Sequence, residues 1–128
     1  MSATETGERL ASIVSAWTEM FRGGDTAALT DLLDERVVWQ GIGPDEICRN
    51  RGEVLELLAR RRRKPPRLTR FEAEEVGDRV AVAVDGPDFA QADMRAGPRS
   101  LVFTFADGRI VRMESLATRD DAFRRARA

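Results

Sequence analysis

The sequence predicts an α+β domain in which helices pack on one face of an antiparallel sheet. Three observations carry that expectation. Apolar residues in the first third recur at steps of three and four, as they do along helices. Gly77-Asp78 and Asp107-Gly108 each separate two strand-like runs, as hairpin turns do. The resulting order is helix, helix, strand, helix and then four strands, with no repeat and no linker.

Residues 8–22 place Leu10, Ile13, Val14, Trp17, Met20 and Phe21 on one stripe of an amphipathic helix. Gly23-Gly24 ends it, because glycine takes the left-handed conformation cheaply. Asp25 is placed to cap a second, short helix that buries Ala28, Leu29, Leu32 and Leu33. RVVWQ, at 36–40, is β-branched and aromatic and reads as a strand, followed by GIGPDEICRN as a loop. A third helix covers 51–64, with Val54, Leu55, Leu57 and Leu58 inward.

That helix runs into ARRRRKPPR, at 59–67. Cations in a last turn favour the negative end of the helix dipole, and the prolines cannot continue the ladder. The run therefore reads as a helix stop. A nucleic-acid surface interleaves aromatics with its cations. None lies between Trp39 and Phe71, so nucleic acid is not an expected partner. An adaptor surface over 60–70, for nucleic acid or an acidic partner, is the weaker reading. The remaining strands are 67–76 and 79–85, then 99–105 and 109–116, with the turn-rich GPDFAQADMRAGP between the two pairs. Thr118 can cap a last short helix carrying Phe123.

The bulk numbers bound the function. The 128 residues suit a single domain over 1–128, with a disordered tail at 1–7. A net charge of −1 gives no field that favours nucleic acid or an anionic membrane. No apolar run reaches the roughly 20 residues of a membrane span. MSATETGERL lacks the basic start and apolar stretch of a signal peptide. With Cys48 as the one cysteine, a cytoplasmic location is expected. Histidine and tyrosine are absent, so catalysis would need carboxylates, arginine, the one lysine, hydroxyls or the thiol. No metal and no cofactor is expected. Gly41-Ile42-Gly43 lacks the third glycine and following helix of a dinucleotide loop. Asp85-Gly86-Pro87-Asp88 is too short a match for a calcium loop. Cys48 has cationic neighbours in Arg49 and Arg51 but no base partner in the sequence, and reads as inert.

A two-residue turn fixes which residues stand opposite each other and share a face. In the first hairpin this gives a clear inside of Phe71, Val80, Val82 and Val84, with Thr69 and Glu75 toward its ends. The second hairpin is ambiguous. One face holds Ser100, Val102, Thr104, Val111, Met113 and Ser115. The other holds Leu101, Phe103, Phe105, Ile110 and Leu116, with Arg112 and Glu114. Both are substantially apolar, which predicts a second cover, and a homodimer through the outer sheet face is the expected one.

WTEMFRGGDTAALTDLLDERVVWQG (17–41), RNRGEVLELL (49–58) and FTFADGRIVRMESLATRDDAF (103–123) together resemble the SnoaL-like proteins of the nuclear transport factor 2-like superfamily. The resemblance implies a cystatin-like roll: a curved antiparallel or mixed sheet, cone-shaped, wrapped around N-terminal helices and leaving a pocket. It also implies dimers through the outer face. By that analogy Val37, Trp39 and Gly41 face inward on the first strand, and Val111, Met113 and Ser115 on the last. The epoxide hydrolases of the family carry an aspartate where Ser115 falls and an Arg-x-Asp on the strand where this chain reads VAVAVDG. Hydrolase chemistry is therefore not expected.

The expected function is binding of a small hydrophobic molecule in a mostly apolar cone. The ligand would be lined by Trp17, Phe21, Trp39, Phe71, Val82 and Val84, with Val102, Met113 and Ser115 from the second hairpin. The alternative is an isomerase or cyclase with Glu114 as acid–base and Arg112 or a tryptophan N–H steadying negative charge. The direction of Glu114 discriminates between them. Asp85 opposite Arg70 reads as a surface pair.

Overall fold

The computed structural model describes residues 3–23, 25–61, 70–85 and 99–128. Among them are four helices and six strands: α1 (Ala3–Gly23), α2 (Ala27–Leu32), β1 (Leu33–Gln40), β2 (Ile47–Cys48), α3 (Arg51–Arg61), β3 (Arg70–Val76), β4 (Arg79–Asp85), β5 (Arg99–Ala106), β6 (Arg109–Leu116) and α4 (Arg119–Arg127). The strands form one curved, unclosed sheet in the order β2-β1-β6-β5-β4-β3. It is mixed: β1 runs parallel to β6, and every other pair is antiparallel. Residues 62–69, which hold most of the basic run, and the whole loop GPDFAQADMRAGP, 86–98, lie outside the described residues.

Local chemistry sets the element ends. α1 begins at Ala3, so the helix takes in most of the tail expected at 1–7. The N-cap of α2 is Thr26 rather than the expected Asp25, which stands one residue earlier and accepts from Ala27 N–H at 2.9 Å through Oδ1. Leu33 leaves that helix and opens β1, fully buried. At α3 the capping is reciprocal. Asn50 Oδ1 accepts from Glu53 N–H at 2.9 Å, while Glu53 Oε1 accepts from Arg49 N–H at 2.6 Å. Part of the expected loop after β1 is strand: Ile47 and Cys48 pair with Gln40 and Trp39. The turn between them closes so tightly that a Cβ on Gly41 would stand 2.6 Å from Glu46 Cβ.

Both hairpins turn where expected. Asp107 (φ 53°) and Gly108 (φ 78°) are both left-handed, as a type I′ turn requires. The first hairpin keeps the expected register, Phe71 opposite Val84 and Glu75 opposite Val80. The second does not. Phe105 pairs with Ile110 but Thr104 pairs with Arg112, so Val111 is the extra residue of a β-bulge. Beyond the bulge the ladder is offset by one. Leu101, Phe103, Phe105, Ile110, Met113 and Ser115 share one face, and Ser100, Val102, Thr104, Arg112, Glu114 and Leu116 the other. The apparent two-sided apolarity was a register effect.

The helices also divide. α1, α2 and α3 supply Ile13, Ala16, Met20, Leu29, Val54 and Leu58 to the core on the inner face. α1 is tied there by Arg9, whose Nη1 donates to Gly77 O at 2.6 Å. α4 packs on the outer face instead, where Ala122, Phe123 and Ala126 cover Ala81 and Val102, with Val76 and Leu116 at the margin. The expectation that helices occupy one face is corrected here. The outer apolar residues of the second hairpin, for which the sequence called in a second copy, are covered by this chain's own last helix.

Candidate functional site at the open end of the inner face

Among the described residues, burial along the inner face runs from complete at one end to partial at the other. At one end Leu33, Val80 and Ile110 are completely buried, with Leu29 of α2 and Phe105 closing over them. Glu75 is the acidic side chain among the described inner positions, and it lies at this closed end. Its Oε1 accepts from Leu10 N–H of α1 at 2.9 Å, and its Oε2 is buried with no hydrogen-bond partner among the described residues. Midway, Trp17 of α1 meets Phe103 edge to face, centroids 5.5 Å apart.

Toward the other end lie Trp39 (β1), Ser115 (β6), Leu101 (β5), Val84 (β4) and Phe71 (β3), with Ser115 opposite Leu101 and Phe71 opposite Val84, but Leu101 opposite Val82 and Trp39 opposite Met113. The first four are half-buried, and Phe71 is 47% exposed. Half-buried Cys48 and Leu55 of α3 approach the same core. Met113, fully buried beside Trp39, forms the floor. One polar contact crosses this end: Trp39 Nε1–H donates to Ser115 Oγ at 3.0 Å.

The structure thus brings Trp17, Trp39, Phe71, Val82, Val84, Met113 and Ser115 to the inner side of the sheet. Val102 is corrected. It faces outward beneath α4, because the Val111 bulge reverses the face it shares with Met113. Val111 itself is half-buried at the bulge rather than on the inner set. The Phe21 side chain lies outside the described residues.

Glu114 and Arg112 also face outward. Glu114 Oε1 takes the Arg112 Nε–H at 3.0 Å, and Oε2 takes the Arg125 Nε–H of α4 at 2.9 Å. Burial pushes the Glu114 carboxyl up, but the hydrogen bonds and charges of Arg125 and Arg112 outweigh it and hold it below 4.5. A general acid needs the opposite shift and a place beside the substrate. Glu114 has neither, so the acid–base alternative loses its base. The Trp39 N–H, a candidate for steadying negative charge, is already engaged by Ser115.

A SnoaL-like domain model matches residues 14–113. The chain belongs to the SnoaL-like domain family. Solved structures share its fold. An NTF2-like protein from Anabaena variabilis aligns with a TM-score of 0.66 at 9% identity, covering 91% of each chain. An LEH-like epoxide hydrolase from M. tuberculosis aligns at 0.58 and 21% identity, covering 94% of this chain and 90% of that one. A protein from Sinorhizobium meliloti, named as a candidate polyketide cyclase, aligns at 0.57 and 19% identity, covering 81% and 93%. At these identities the likeness is one of fold. Among curated proteins no sequence match was found.

Within this SnoaL-like chain, sequence reasoning missed the partners of the outer glutamates. Glu72 is bound by Arg119 Nε, and Glu74 is gripped by Arg127 through contacts of 3.2 and 2.7 Å. Arg79 Nη1 donates to the C-terminal carbonyls of Arg125 (2.9 Å) and Ala128 (3.1 Å), closing the end of α4. The signal was present as alternation: Glu72, Glu74 and Glu114 on outward positions, and a last helix carrying Arg119, Arg125 and Arg127. The Trp39–Ser115 bond left no such trace, since it joins residues 76 apart.

Proposed function

We propose that the protein binds a small, neutral, mostly apolar molecule at the open end of its inner face. The observation that carries this reading is the gradient of burial: apolar side chains that are solidly packed at one end are left half-exposed at the other, around Trp39, Leu101 and Val84. Apolar concavities with a few polar groups suit such ligands. The described inner positions carry no arginine or lysine for an anion, and their carboxylate, Glu75, is engaged by α1 at the closed end. Structures of similar fold carry the names epoxide hydrolase and polyketide cyclase, which supports a small organic ligand for this chain. The cyclase or isomerase alternative loses the base named for it, because Glu114 points outward.

Two further parts of the reading follow from the sequence. The lone cysteine suits the cytoplasm. A homodimer is proposed through outer sheet surface that α4 leaves uncovered, and light scattering in solution would report its mass.

The test of binding is titration with N-phenyl-1-naphthylamine, a neutral apolar dye that fluoresces when taken out of water. Saturable one-to-one binding, weakened by Leu101→Glu, is the expected result. Absence of saturable binding by the folded protein overturns the reading.

A further inference from the structure

The indole of Trp39 and the hydroxyl of Ser115 do more than pack. A serine hydroxyl has one donor hydrogen and two acceptor sites. Trp39 Nε1–H occupies one acceptor site at 3.0 Å. That contact leaves the donor hydrogen and fixes the Oγ from one side. It also silences the indole as a donor, because an N–H has a single hydrogen to give. Both residues are half-buried at the margin where the inner face opens. Their neighbours on that face, Leu101, Val84 and Met113, offer no side-chain hydrogen bond.

We infer that Ser115 is the specificity-determining residue of the site. Its hydroxyl, held by Trp39, donates a hydrogen bond to a neutral acceptor, and so selects ligands bearing a ketone, ester or lactone carbonyl over pure hydrocarbons of the same shape. This deepens the proposed binding function and rests on it. The physical reason for selectivity is asymmetric. A carbonyl entering an apolar site gives up its water, and regains a partner only where a donor waits. A hydrocarbon gives up nothing of the kind, but leaves the Ser115 hydrogen unsatisfied. Carboxylates are disfavoured, because the described inner positions carry no cation to replace their hydration.

Tetralin and 2-tetralone differ by one carbonyl on nearly the same frame. Each would be titrated as a competitor of N-phenyl-1-naphthylamine against wild type, Ser115→Ala and Trp39→Phe. Wild type should prefer 2-tetralone by about fivefold beyond the ratio set by their water solubilities, the yield of one net hydrogen bond. Ser115→Ala should reduce that preference, because the Trp39 N–H it sets free can donate in its place, and the double variant Ser115→Ala/Trp39→Phe should abolish it. Trp39→Phe alone keeps the hydroxyl but frees its orientation, and should reduce the preference without abolishing it. Dye binding with no ketone preference in wild type, or a preference that survives in the double variant, overturns the inference and leaves the apolar site standing. No saturable dye binding overturns both.

Discussion

On the inner face Leu33, Val37, Val80, Ile110 and Met113 are fully buried against α1, α2 and α3, with hydrogen bonds from Arg9 to Gly77 O and from Leu10 N–H to Glu75 added where α1 crosses the sheet. On the outer face Glu72, Glu74 and Glu114 each hold an arginine of α4, and a smaller apolar cluster around Phe123 lies between them. One sheet therefore attaches helices by two different means. Apolar burial supplies large, undirected stabilisation. Ion pairs that remain near solvent supply little energy but strong preference for one placement. The inner helices are held by area, and α4 is held in register by charge.

Inserting an alanine between Thr104 and Phe105 attacks the comparison most directly. It gives the unpaired Val111 a partner and removes the bulge, so that Thr104, Arg112 and Glu114 turn into the apolar interior while Phe103 and Met113 turn out. The expected outcome is loss of cooperative thermal unfolding, read by circular dichroism. A variant that melts like wild type would mean the two faces are not set by this bulge.

Matched truncations weigh the faces against each other. Met113→Ala, on the inner floor, should cost about 3–5 kcal/mol in urea denaturation, within the range for fully buried side chains. Phe123→Ala on α4 should cost about 2–3 kcal/mol, less than a central phenylalanine, because a terminal helix can loosen without global unfolding. Hydrogen exchange would show that difference as early opening of 119–127 alone.

The smallest effect belongs to Glu114→Gln. Its side chain is 15% exposed, and Arg125 opposite is 45% exposed, so the pair should contribute about 1 kcal/mol at neutral pH. The sign with pH follows from the lowered folded-state value. The carboxylate's contribution is fully present above the unfolded value near 4.5 and is lost as pH falls through the lower folded one. Wild type and Glu114→Gln should therefore converge in stability in acid. A gap that widens there would mean that the carboxyl is raised instead.

How much of this could be read beforehand differs between the hairpins. In the first, Glu72 and Glu74 alternate with Phe71 and Ala73 without interruption, and turn geometry alone placed every side chain. In the second, Val111 interrupts the count without any glycine or polar residue to announce it. The clue was the implausible result that both faces were greasy. Inserting one unpaired residue restores clean alternation, an inference the sequence permitted but did not compel. The family was legible from its long motifs, and so were the inward placements of Trp39, Met113 and Ser115. Alternation between Met113 and Ser115 already turned Glu114 outward, but the count from the turn opposed it because it missed the bulge. The docking of α4 was not legible, because its arginines find glutamates up to 53 residues away.

The parallel pairing of β1 with β6 joins one of the first strands made to the last. During synthesis, β1 waits with its edge unmatched while the whole β3–β6 meander emerges. Closing so long a loop is slow compared with forming hairpins. The margin where Trp39 meets Ser115 is thus among the latest parts of the molecule to assemble, and a truncated or stalled chain would keep most of its sheet yet never form that contact.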